Sequence, residues 1–194
     1  MGRSNPYPDE VFRFCPACGA EGFAVPGDFI PGADGKHRFA CSVCGFRFYI
    51  NSSVGVAAIL LNPAGELLMT RRLKEPKLDT LDLPGGFADP GEPAEEALRR
   101  EVLEEVHLEV TDLVPWRRSY CNEYEYGGIT YFTNDFIYTA TVRDWQQLRM
   151  SDPEEAEPLL LPLDEVDPGK VGLVSIRRVV TDLLRWGRFG PETA

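Results

Sequence analysis

The spacing of apolar positions changes along the chain, and each change marks an element. Val54 to Leu61 is an unbroken apolar and β-branched run, the pattern of a buried strand. Asn62-Pro63-Ala64-Gly65 reads as a turn, and Glu66 to Thr70 returns as the second strand of a hairpin. Leu81 to Pro84 is a short strand. From Gly85 to Glu92, Gly and Pro forbid regular structure. From Pro93 onward no breaker appears until after Leu108, and Pro suits a first helical turn because its missing N–H costs nothing there. The stretch therefore predicts a Gly-rich loop feeding a helix of about three or four turns.

Downstream, Trp116–Tyr126 and Ile129–Val142 flank Gly127-Gly128 as a long hairpin, with Phe132, Phe136, Tyr138, Ala140 and Val142 favouring one face. Asp152 to Pro158 reads as an acidic loop, Leu159–Leu161 as a brief strand and Leu163–Val166 as a helical turn. Ser175 is placed to cap a last helix that carries Ile176, Val179, Val180 and Leu183 on one face and ends at Gly187. Strands, a central helix, more strands and a final helix make a mixed α/β domain.

Residues 1–50 follow a different pattern. Cys15-Pro16-Ala17-Cys18-Gly19 and Cys41-Ser42-Val43-Cys44-Gly45 are two copies of one unit. Each places two thiols on a tight turn, and four thiolates make a closed tetrahedral Zn²⁺ site. Pro26-Gly27-Asp28 and Pro31-Gly32-Ala33-Asp34-Gly35 read as turns in the spacer. So short a module lacks a core, and the metal would supply its stability. Two disulfides are the alternative, disfavoured in a reducing compartment. The remaining cysteine, Cys121, is read as a packed thiol.

The chain has 194 residues, room for one domain from residue 51 to 194 beside the 1–50 module. Its net charge of −11 speaks against general nucleic-acid affinity. No apolar run is long enough to cross a bilayer and the N-terminus shows no signal-peptide core, so no membrane association and a cytoplasmic location are expected.

The helix from Pro93 carries the candidate chemistry. At 100° per residue, Ala94, Leu98 and Val102 form an apolar stripe, and Glu101 and Glu105 project into the same sector. Glu105 falls between Ala94 and Leu98, and Glu104 lies one step round. A solvated acidic face explains Glu95 and Glu96 but not carboxylates at the edge of a buried stripe, where like charges are costly. A hard divalent cation, Mg²⁺ or Mn²⁺, resolves the conflict because it takes carboxylate oxygens. Arg100 is placed to orient Glu92 or Glu101. Arg71, Arg72, Lys74 and Lys77 serve either surface solubility or substrate phosphates.

Gly86, five residues, Glu92, seven residues, then Arg100-Glu101-Val102-Leu103-Glu104-Glu105 resembles the Nudix box. The chain is identified by this match as a Nudix hydrolase. One position departs: the family has Gly where this chain has His107, a residue type also enriched in the left-handed conformation that closes a helix. The resemblance implies a mixed sheet sandwiched between helices, covering about the last three quarters of the chain. It also implies Mg²⁺-dependent hydrolysis of the diphosphate in a nucleoside diphosphate derivative. Glu101, Glu104, Glu105 and the carbonyl of Gly85 would hold the ion. Glu101 is the first choice as general base, with Glu154, Glu155 or Glu157 second.

The cysteine module resembles a zinc ribbon, an arrangement similar to that of NADH pyrophosphatases. Their aromatic Pro-rich signature beyond the box is not found, since Trp116-Arg117-Arg118-Ser119-Tyr120 differs from it. ADP-ribose, NADH and dinucleoside polyphosphates stay open as substrates, and Tyr124, Tyr126, Tyr131 and Phe132 are candidates to stack on a base. A homodimer stays open too. The alternative reading is a non-catalytic Nudix nucleotide sensor or regulator that docks through its zinc ribbon. The intact carboxylates argue against a purely binding role.

Overall fold

The computed structural model describes residues 11–21, 38–74 and 77–186. The turns expected at Pro26–Asp28 and Pro31–Gly35, and the helix end expected at Gly187, lie outside the described residues. The chain divides into two compact units, Met1–Ser53 with Glu123–Thr133, and Val54–Asn122 with Asn134–Ala194. Among the described residues no helix is long and apolar enough to cross a membrane.

The first unit is organised by two cysteine turns. In one, Gly19 N–H donates to Cys15 O at 2.8 Å; in the other, Gly45 N–H donates to Cys41 O at 2.9 Å. Both glycines have left-handed backbones, with φ of 72° and 75°, which only Gly adopts without cost. Strands β1 (Arg38–Ala40) and β2 (Arg47–Tyr49) pair antiparallel around the second turn.

In the second unit the alternation of the strands decides the layers. Strand β3 (Ser53–Ile59) and β4 (Leu67–Arg72) are followed by β5 (Leu81–Asp82), β6 (Gly85–Phe87) and helix α1 (Ala94–Val106). Then come β7 (Val110–Pro115), β8 (Tyr120–Tyr126), β9 (Ile129–Val142), β10 (Ala156–Leu161) and helix α2 (Val174–Trp186), the stretch Glu123–Thr133 of β8 and β9 being counted with the first unit. One sheet has the order β6-β3-β9-β7, with β8 also on β9; the other has the order β10-β4-β5. Successive side chains on a strand face opposite ways. Val56, Ala58, Leu60 and Leu68 therefore join Ala97, Leu98, Val102 and Val106 of α1 in one core. Ala57, Ile59, Leu67 and Met69 join Ile176, Val179, Val180 and Leu183 of α2 in the other. Strands with both faces buried lie between two helices, which is the expected sandwich.

The same packing fixes the rotation of α1. Fully burying a Leu or Val side chain stabilises by about 1.5–3 kcal/mol, whereas a like-charge i,i+4 pair costs only a few tenths. Leu98, Val102 and Val106 are completely buried, so the apolar stripe sets the helix and the glutamates must follow. The C-terminus is closed by long-range partners. His107 adopts φ 58° and ψ 28° and its N–H donates to Leu103 O, as its place at the helix end predicts. Ser151 donates through its hydroxyl to Glu104 O and through its N–H to Glu105 O, and Arg149 N–H donates to Val106 O. All four terminal carbonyls thus have donors. At the other end Pro93 is the N-cap residue, one position ahead of the first turn.

Four details differ from the sequence reading. Residues Val110–Pro115 form an unpredicted strand, bulged between Thr111 and Val114, and the strand expected from Trp116 begins only at Tyr120. The acidic loop ends sooner: Glu157 and Pro158 belong to β10, opposite Arg71 and Thr70. Proline is tolerated there because β10 is an edge strand. Ser175 is not a cap, since α2 starts at Val174 and Ser175 is wholly buried inside it. Tyr138, Ala140 and Val142 face the α1 core as expected, but Phe136 remains 37% exposed.

Candidate active site

Arg100 is the hub of the α1 surface. Its Nε and Nη2 donate to the two oxygens of Glu92 at 2.9 and 2.8 Å. Its Nη1 donates to Glu101 Oε1 at 2.9 Å and Glu104 Oε2 at 3.1 Å, and its Nη2 also reaches Phe87 O at 3.0 Å. The five N–H donors of the guanidinium are matched by five acceptors. Glu92 also accepts from Asp89 N–H at 2.9 Å. Its carboxyl is held down to about 2, chiefly by the Arg100 hydrogen bonds and then by Asp89. One arginine thereby ties the Gly-rich loop to the helix and orients two of the three helix glutamates.

Glu105 is held separately. Its Oε2 accepts the Gly85 N–H at 3.1 Å. Burial pushes its carboxyl up to about 7; the Gly85 N–H opposes this, while Asp82 and Glu101 add to it by charge. The hydroxyl of Thr70, itself 3% exposed, also pulls the carboxyl down. Asp82 is raised to about 6, again by burial first. Sequence reasoning missed Asp82. Its signal was an acid between Leu81 and Leu83, at a strand position with apolar neighbours.

Two glycines make room. A β-carbon on Gly85 would lie 2.1 Å from the Val56 carbonyl oxygen, so β6 can approach β3 only with Gly there. A β-carbon on Gly86 would lie 2.4 Å from Glu101 Cδ. The Glu101 carboxylate therefore rests on bare backbone.

The second-choice bases face cations of β4 and of the residues just after it. Glu154 and Glu155 are exposed, 3.8 and 3.7 Å from Lys74 Nζ, and Glu157 is ion-paired with Arg71. Arg71 and Lys74 thus face carboxylates of the 154–157 segment.

The four cysteines converge. Cys15 Sγ lies 3.7 Å from Cys44 Sγ, and Cys18 Sγ 3.7 Å from Cys41 Sγ. None is in a disulfide. Among the described residues these are the one group of three or more His, Cys, Asp or Glu whose donor atoms all lie within 4.8 Å of one another. A tetrahedron with Zn–S bonds of 2.3 Å has edges of about 3.8 Å, so the sulfurs already stand at metal-binding separations. Backbone N–H groups of Cys44 and Val43 help pull the Cys41 thiol down to about 6.

The helix carboxylates are not gathered in that way. Glu101 and Glu104 lean on Arg100, and Glu105 on Gly85 N–H. Their chemistry nonetheless fits a hard divalent ion: all are oxygen donors, and Glu105 is a desolvated carboxylate among like charges.

A family model described as NUDIX domain matches residues 51–183. Over 103 residues the chain is 35% identical to the NAD-capped RNA hydrolase NudC of Pseudomonas fluorescens, a match covering 52% of this chain and 33% of that protein. The chain thus spans about a third of the length of these curated relatives. A Nudix hydrolase of Nitrosomonas europaea superposes with a TM-score of 0.67 at 24% identity, over 94% of this chain and 96% of that one. The dihydroneopterin triphosphate pyrophosphohydrolase of E. coli gives a TM-score of 0.56 at 18% identity, over 69% and 97%. At such identities the two structures speak for the fold alone.

Proposed function

The chain belongs to the Nudix family, and from that premise we propose that it is a divalent-cation-dependent pyrophosphohydrolase acting on a nucleoside diphosphate derivative. The observation that carries this reading is the Arg100 hub: one guanidinium, fully engaged, holds Glu92, Glu101 and Glu104 in fixed relation on the helix that also carries the half-buried Glu105. A purely solvated face would need no such scaffold. Glu101, Glu104 and Glu105 are the proposed holders of Mg²⁺ or Mn²⁺, with the Gly85 carbonyl as a further donor. When bound, such an ion neutralises diphosphate charge and lowers the pKa of water.

The chain's own residues divide the remaining work. Glu105, fixed by Gly85 N–H, presents a carboxylate whose charge is weakly solvated and seeks a cation. Glu101 is the proposed general base. Its side chain is set by Arg100 on one side and by the Gly86 backbone beneath it. Arg100 touches no substrate in this scheme; it positions Glu101 and Glu104 and carries the strain-free link to Glu92. The four cysteines are proposed to hold a structural Zn²⁺, which leaves no open position for catalysis. Their thiols suit a reducing compartment, which supports the cytoplasm as the place of action.

Among ADP-ribose, NADH and dinucleoside polyphosphates, we favour NADH or another dinucleotide diphosphate, because the NudC relatives are named as hydrolases of NAD-capped RNA. The test is hydrolysis of a panel of these compounds with and without Mg²⁺, with products identified by mass. Cleavage at the diphosphate that disappears with a Mg²⁺ chelator is expected. Tight nucleotide binding without turnover of any member would overturn the enzyme reading in favour of a sensor.

A further inference from the structure

Away from the α1 carboxylates, cations and indoles gather where β7 passes into β8. Trp116, Arg117 and Arg118 occupy that link, and Asp182 and Trp186 come from the last turns of α2. Arg117, Arg118, Asp182 and Trp186 line an open cavity of about 290 Å³, just below the usual size of ligand pockets.

The arginines here are held in a particular way. The Arg117 guanidinium carbon lies 4.2 Å from the Trp186 ring centre and 5.3 Å from that of Trp116. Among the described residues no carboxylate pairs with it. Stacking on indoles engages the faces of a guanidinium and leaves its in-plane N–H donors available. Arg117 keeps this place with a left-handed backbone, φ 49°, a conformation uncommon outside Gly, Asn and Asp. Arg118 stands 3.7 Å from Asp182 and 70% exposed. Asp182 is already engaged, since its Oδ2 also accepts the Tyr120 hydroxyl at 2.9 Å. Arg185 stacks on Trp186 at 5.1 Å. Two arginines thus line the cavity with one partnered aspartate, and a third stacks on the same indole, in a chain whose net charge is −11. The cationic excess also outweighs the negative end of the α2 dipole.

We propose that this cavity is an anion subsite that takes a phosphate monoester. A planar guanidinium fork binds phosphate oxygens through two parallel N–H bonds, and a dianion gains from a second arginine where a carboxylate would not. The ligand is either inorganic phosphate or a phosphorylated nucleoside. The inference does not depend on the proposed hydrolysis.

Of the chain's three tryptophans, Trp186 lines the cavity and Trp116 lies against Arg117, so their fluorescence reports on it. Full-length protein is titrated at constant ionic strength, without added divalent ions, with inorganic phosphate, AMP and acetate. Saturable quenching by phosphate and AMP is expected, with acetate at least tenfold weaker. Tighter binding of AMP than of phosphate identifies a nucleotide ligand, and equal affinities identify the phosphoryl group alone. Arg117→Gln should abolish the response. Arg118→Gln, which leaves the indole stack intact, should weaken it about tenfold and serves if Arg117→Gln fails to fold. No saturable response to either phosphate or AMP, or an unchanged response in a folded variant, would overturn the subsite.

Discussion

The carboxylate of Glu101 lies against the α-carbon of Gly86, so closely that a β-carbon there would sit 2.4 Å from Glu101 Oε2. The obstructed group is the end of a flexible side chain, which can swing aside. Gly86→Ala should therefore fold and melt near the wild type while displacing Glu101. A misplacement of about 1 Å costs on the order of a hundredfold in rate. Gly85→Ala is the contrast, because its obstruction is the Val56 backbone oxygen. It should lose stability on the order of 3 kcal/mol. Melting curves and steady-state rates of both variants check the pair. Equal activity in Gly86→Ala and wild type would remove Glu101 from the machinery.

Glu92 gives a dependence on acid. Its carboxyl titrates near 2 in the folded protein, below its ordinary value of 4.5, because Arg100 stabilises the anion. The stabilisation is complete above about pH 4.5 and fades as pH falls toward 2. Glu92→Gln should melt lower than wild type at pH 6, and the difference should shrink steadily below pH 4.5. A gap that stays constant down to pH 2.5 would show that the loss is steric and not ionic.

Glu105 has the opposite sign. Its folded carboxyl is raised to about 7 from 4.5, so in metal-free protein its ionisation costs stability that is retained below pH 4.5 and lost as pH rises through 7. Glu105→Gln should match wild type at pH 4 and exceed it above pH 7, by on the order of 1–3 kcal/mol. Added Mg²⁺ should narrow that gap by favouring the ionised wild type. The same variant should hydrolyse substrate at least about a hundredfold more slowly at saturating Mg²⁺. A lower metal-free melting temperature above pH 7 would mark Glu105 as a structural anchor for Gly85.

One zinc per chain is expected at Cys15, Cys18, Cys41 and Cys44. Elemental analysis of reduced protein measures it directly, and a metal-free result would end the assignment. Cys41→Ser should lose the zinc. Hydrolysis should still respond to Mg²⁺ in that variant, since the sulfur site has no place for substrate.

Much of this protein is written in local sequence. The strand at Val54–Leu61, the helix after Pro93, the hairpin about Gly127-Gly128 and the paired cysteine turns follow from short-range periodicity and turn chemistry, which nearby residues dictate. Helix periodicity alone put Glu105 at the edge of the buried stripe, and the structure finds it half-buried. Other features needed the tertiary structure. The strand at Val110–Pro115 has a bulge and too mixed a composition to announce itself; pairing with β9 makes it. Glu157 becomes a strand residue because β4 offers it Arg71. His107 can end the helix where glycine is the family habit because Ser151 and Arg149, more than forty residues on, supply the donors its carbonyls lack. Asp82 is perturbed because the folded chain desolvates it, and its charge in turn raises Glu105. Periodicity reports which face of an element is apolar, but the groups that meet across two elements are fixed by packing, and a carboxylate's charge answers to those neighbours.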